Sequence, residues 1–207
     1  MTVLTVATRP MPRPAVRTWL ECGLVMVGLG AVVVARLAAT RDGFDALAVG
    51  AGFGAALLGL VVATGSRIDL GDRRAAGALV GVAAGLALVG VALAGAALGG
   101  STPISGLARP AAPLIPWASV TIIVAVGEEV VLRGLLFDRL RRAGGTPLAL
   151  VATTVLFAAM HVPLYGWHVV PLDLAVGLAL GGLRVATRGM VAPAIAHAVA
   201  DLATWWL

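Results

Sequence analysis

Seven apolar stretches, each near the length of a membrane crossing, alternate with short polar or proline-rich breaks. They cover about 19–39, 44–64, 75–99, 114–140, 147–162, 169–187 and 190–207. An α-helix rises 1.5 Å per residue, so about 20 apolar residues cross a hydrocarbon core roughly 30 Å thick. The last three stretches lie at the short end and are expected only as packed members of a bundle. The fourth closes on Arg139, Arg141, Arg142 and the helix stop Gly144-Gly145. The break at 100–118 holds Pro103, Pro110, Pro113 and Pro116, which predicts a loop or a re-entrant approach. In the third stretch Gly77, Gly81 and Gly85 recur every fourth residue, a face on which another helix can pack closely. The pattern predicts an all-α fold, a polytopic membrane bundle of about seven transmembrane helices.

Composition agrees. Of 207 residues 60% are hydrophobic and 12% charged, with mean hydropathy +1.01, where a soluble domain is about a quarter charged. The net charge of +5 does not imply nucleic acid, because the arginines punctuate apolar spans and form no basic stripe. The single Cys22 excludes an internal disulfide. Residues 1–17 form a basic, proline-interrupted lead-in, and the first apolar stretch outlasts the 7–15 residues of a signal-peptide core, so it is read as an uncleaved helix. With a cytoplasmic N-terminus, eleven arginines fall on inner segments and three, Arg36, Arg41 and Arg109, on outer ones; Arg133 is intramembrane. That bias predicts a multi-pass protein of the cell (plasma) membrane with its N-terminus inside.

Against this background the polar residues inside the spans stand out. Two of the three glutamates, Glu128 and Glu129, are adjacent in the fourth stretch, followed by Arg133. A charge at mid-membrane costs about 2.5–3.5 kcal/mol on insertion scales, so such residues are functional candidates. On a helix Glu129 and Arg133 share a face and form a natural ion pair, while Glu128 diverges by about 100° and has no partner on its own helix. Glu129 is therefore the structural candidate and Glu128 the chemical one. Phe157 and His161 are spaced by four on the fifth stretch, as are His197 and Asp201 on the seventh. His168 beside Trp167 is read as interfacial, Asp173 as interfacial or a helix-start carboxylate, and Trp205 and Trp206 as part of an aromatic belt.

EEVVLR at 128–133, FAAMH at 157–161 and HAVAD at 197–201 fit EExxxR, FxxxH and HxxxN/D in that order, each on its own expected helix. Together they resemble the CPBP family of CAAX-protease and bacteriocin-processing (Abi-type) intramembrane endopeptidases, over about residues 115–205. The resemblance divides the chain into a lead-in (1–17), N-terminal transmembrane helices (18–113) and a catalytic transmembrane core (114–207). It implies that Glu128 activates water assisted by His161, that His197 and Asp201 stabilise the oxyanion or complete the water site, and that Glu129, Arg133 and Phe157 give structural support. The third motif often ends in Asn, and here it is Asp201, which can donate to an oxyanion only when protonated.

Two histidines with one or two carboxylates, drawn from Glu128, His161, His197 and Asp201, could hold Zn²⁺ with an open position for water, as expected of a metalloprotease. The same residues could act as a glutamate–histidine general base without metal; no compact HExxH is present to decide between the two, and the metal-free reading is slightly favoured. The implied partners are the bilayer and a membrane-associated peptide or protein substrate. The competing classes are a proton-coupled transporter using Glu128, His161 and Asp201 as a relay, and a non-catalytic immunity or scaffold protein. Only the C-terminal half is polar inside, and no inverted repeat is evident, which counts against the transporter.

Overall fold

The computed structural model describes residues 16–97 and 112–206. Most of the basic lead-in and most of the proline-rich break lie outside the described residues, and the expected re-entrant loop lies there with them. The helices are α1 (Val16–Arg41), α2 (Ala46–Ala63), α3 (Arg74–Ala97), α4 (Leu114–Glu129), α5 (Phe137–Tyr165), α6 (Val170–Thr187) and α7 (Val191–Ala203). A π-helical segment, Val130–Leu136, joins α4 to α5, and a 3₁₀ turn, Trp167–Val169, precedes α6.

Each expected apolar stretch is helical, but four segments among the described residues, not seven, are long and apolar enough to cross a bilayer unaided. These are Val16–Arg41, Ala46–Ala63, Arg74–Gly95 and Trp167–Thr187. The seventh stretch is shorter than its sequence suggests, because α7 ends at Ala203 and Thr204 to Trp206 form a turn. At 13 residues it is roughly 20 Å long. Leu20, Leu24, Val27, Val62, Leu79 and Val91 point outward on α1 to α3. Apolar surface of that extent belongs in lipid, and the chain is an integral membrane protein.

The fourth and fifth stretches are one run of helix broken where the glycine pair stands. Gly145 has φ +86°, ψ 174°, outside the helical region and in a region that favours glycine. The π segment is the feature that hydropathy did not reveal. Its closing amide, on Phe137, bonds the carbonyl of Leu132, five residues back, and all seven of its side chains are buried. Such wide turns recur at functional sites. Here it begins directly after the two glutamates and contains Arg133.

Helix α3 packs along α7, α2 along α4, α5 along α6, and α1 against α2 and α5. The glycine face of α3 is what seats α7. A Cβ on Gly81 would stand 2.6 Å from the Ala192 carbonyl oxygen, and one on Gly85 2.7 Å from Val199 Cβ. Backbones this close leave room for hydrogen only. The N-terminal helices thereby fix the position of α7, which carries His197 and Asp201.

Candidate active site

Glu129 is the hub of the buried polar cluster. Its Oε1 accepts Arg133 Nη1 at 2.5 Å, with both side chains fully buried, and lies 3.1 Å from His197 Nδ1. Arg133 also donates through Nη2 to the Gly177 carbonyl on α6, and its guanidinium lies 4.9 Å over the Phe157 ring. The pair expected from i,i+4 spacing is therefore present, but it reaches beyond its own helix. Because a carboxylate only accepts, the proton of the His197–Glu129 contact is on Nδ1, which leaves Nε2 turned to the remaining acids.

Those acids are Glu128 and Asp201. His197 Nε2 lies 3.9 Å from Glu128 Oε2 and 3.5 Å from Asp201 Oδ2, too far for good direct hydrogen bonds and close enough to share a water or a substrate atom. The Glu128 side chain is 3% exposed and that of Asp201 41%, so the acids run from the bundle interior to its surface.

His161 joins at one ring's remove. Phe157 lies between the two histidines, its centroid 4.7 Å from the His161 ring and 5.4 Å from that of His197. His161 Nδ1 is 2.7 Å from the Phe157 carbonyl; a carbonyl cannot donate, so this nitrogen carries hydrogen and Nε2 is free. Asp173, expected to be interfacial or a helix-start carboxylate, stands in the first turn of α6, is largely buried and lies 3.9 Å from His161 Nδ1. It is within electrostatic range of His161, Glu128, Asp201 and His197 together. Tyr165 stacks on the other side of His161, rings 5.9 Å apart. His168 is exposed, and Trp205 pairs with Trp117 at 5.0 Å.

One residue departs from the sequence reading, and two arginines read as flanking a span are buried. Arg36 does not stand on an outer segment: it lies within α1, 4.3 Å over the Phe53 ring, with Nη1 4.0 Å from Glu128 Oε1. Arg139 and Arg184, expected on inner flanks, are buried. Arg184 donates to the Arg133 carbonyl at 3.1 Å and to Asp138 at 3.0 Å.

Residues 110–203 match the family model described as type II CAAX prenyl endopeptidase Rce1-like. That C-terminal segment is similar to the family. No curated protein and no solved structure matches the chain. The Rce1-like segment contains Glu128, Glu129, Arg133, Phe157, His161, Asp173, His197 and Asp201, and its family is one of proteases. Arg36 and the glycine face of α3 lie outside it, so the N-terminal helices add a cation and a seat to the Rce1-like residues.

Among the described residues no group of three or more His, Cys, Asp or Glu side chains is arranged to hold a metal ion. Nε2 of His197 faces two carboxylates, but His161 Nδ1 is turned to its own helix and to Asp173. Neither this donor geometry nor the family match supports the metalloprotease class.

Proposed function

We propose that the protein is an intramembrane endopeptidase that hydrolyses a peptide bond near the membrane interface of a membrane-associated protein or peptide. One observation carries the reading: within the segment that matches a protease family, one histidine, His197, is set against both glutamates and Asp201. Glu128 accepts a proton from water as its oxygen attacks the scissile carbonyl carbon. The same proton then goes to the departing amine, giving a new carboxyl and a new amino terminus. General acid–base help of this kind contributes about 10²–10⁴-fold. His197, held by Glu129 through Nδ1, presents Nε2 to the water or the developing oxyanion. His161 Nε2 takes the assisting position, supported by Asp173 and wedged between Phe157 and Tyr165. The substrate enters from the side of Asp201, the most exposed of these acids.

The arginine-rich end faces the cytoplasm of a plasma membrane, and the N-terminus lies on that side. The test is reconstitution in liposomes with a library of membrane-anchored peptides, read by mass spectrometry. Wild type cleaves at least one member, and Glu128→Gln and His161→Ala abolish that cleavage. Cleavage surviving both substitutions refutes the mechanism.

A further inference from the structure

A polar cavity lies at the arginine-rich end of the bundle, apart from the cluster around Glu128. It has a volume of about 220 Å³ and is lined by Ser66, Arg67, Asp138, Arg139 and Arg142, with Gly134 and Leu135 of the π segment forming apolar wall. At about 30 Å³ per water it would hold roughly seven waters, or a phosphate group with part of its solvation.

The floor is Arg139, only 8% exposed. Its Nη1 donates to the Leu135 carbonyl at 3.1 Å and its Nη2 to Ser66 Oγ at 2.9 Å. Its Nε is buried and turned toward Glu21, whose Oε2 pairs with it at 3.7 Å. The rim is Arg67 and Arg142, both exposed. The nearby acids already have partners: Asp138 with Arg184 at 3.0 Å and Arg141 at 3.8 Å, and Glu21 with Arg17 at 2.9 Å and with Arg139 itself at 3.7 Å. Three arginines thus face one small cavity whose carboxylates already have partners.

We infer that this cavity is a binding site for a phosphate-bearing anion, supplied by the headgroup of an anionic phospholipid. Arginine forks match phosphate oxygens in geometry and charge, and basic recesses between membrane helices at the arginine-rich side are suited to lipid headgroups. Arg139 supplies positive charge from the floor, and Arg67 and Arg142 close on the anion from the rim. Gly134 and Leu135 belong to the same π segment as Arg133, so an occupied site bears on the element that holds Glu129. The proposal does not depend on what the polar cluster around Glu128 catalyses.

The test uses the full chain in detergent and counts phosphatidylglycerol molecules retained in native mass spectrometry, with phosphatidylcholine as the zwitterionic control. The double variant Arg67→Gln/Arg142→Gln alters exposed side chains and keeps the fold. Arg73→Gln/Arg74→Gln removes the same charge from exposed positions outside the cavity. The expected result is at least tenfold weaker retention in the first double variant, wild-type retention in the second, and loss of retention as salt is raised. Titration with inorganic phosphate separates the sources: failure to displace the lipid assigns the site to a headgroup, and displacement assigns it to free phosphate. Equal retention by wild type and the Arg67/Arg142 variant, or equal loss in both double variants, overturns the proposal.

Discussion

Replacing Arg133 by methionine isolates the ion pair at the centre of the bundle. Arg133 and Glu129 are fully buried and in contact at 2.5 Å, so removing the cation leaves a carboxylate inside the bundle with His197 as its one remaining hydrogen-bonded neighbour. Breaking a buried pair from one side costs about 3–5 kcal/mol, and the surviving His197 contact puts the expected loss near 3 kcal/mol. That is about a hundredfold in the folding equilibrium at about 1.4 kcal/mol per decade. Removing both charges, in Glu129→Gln/Arg133→Met, takes away the stranded carboxylate and is expected to recover most of the loss. Activity should not return with stability, because His197 then lacks the acceptor that fixes its Nδ1. The assay is reversible unfolding in mixed micelles followed by tryptophan fluorescence, paired with peptide cleavage by the same samples. If Arg133→Met unfolds within about 1 kcal/mol of wild type, the pair behaves as a solvated one and the reasoning is refuted.

Further outcomes follow from the same geometry. Gly85→Leu forces a side chain into Val199 and the Ala196 carbonyl, and should cost about 1–3 kcal/mol in micelle unfolding while lowering cleavage, because the displaced helix carries His197. Arg36→Gln should leave the fold intact and lower kcat about tenfold, with Arg36→Lys intermediate, since the guanidinium 4.0 Å from Glu128 comes from outside the Rce1-like segment; unchanged kcat would remove Arg36 from the site. Chelation should leave cleavage intact, given the donor geometry around His197; loss with recovery on adding zinc would show that the ligands rearrange around a metal.

Much of the site was legible because membrane burial makes charges conspicuous. Glu128, Glu129, Arg133, His197 and Asp201 stand out against apolar spans, and i,i+4 spacing paired Glu129 with Arg133 as the structure has it. The Gly77, Gly81 and Gly85 face was readable as a packing surface, and Gly81 and Gly85 receive α7. What spacing could not give was the relation between helices. That Glu129 also holds His197, 68 residues away, depends on how α7 lies along α3 and α4. Arg36 was misplaced because a flanking arginine and one that turns inward over Phe53 look alike in one dimension. The π segment has no hydropathy signature, since widening the helix changes the hydrogen-bond ladder and leaves the composition alone. A short helix such as α7 owes its place to the glycine face of α3 and not to its own length, in line with its reading as a packed member of a bundle.

The central claim is that Glu128 activates the water. Single-turnover cleavage of one membrane-anchored peptide by Glu128→Gln tests it most directly, with micelle unfolding of the same sample as the control for fold. The amide keeps the shape of the carboxylate and loses its ability to take a proton. The account predicts unfolding like wild type and a cleavage rate lower by at least about a hundredfold. A folded Glu128→Gln protein that cleaves within about threefold of wild type, far inside that range, would contradict it.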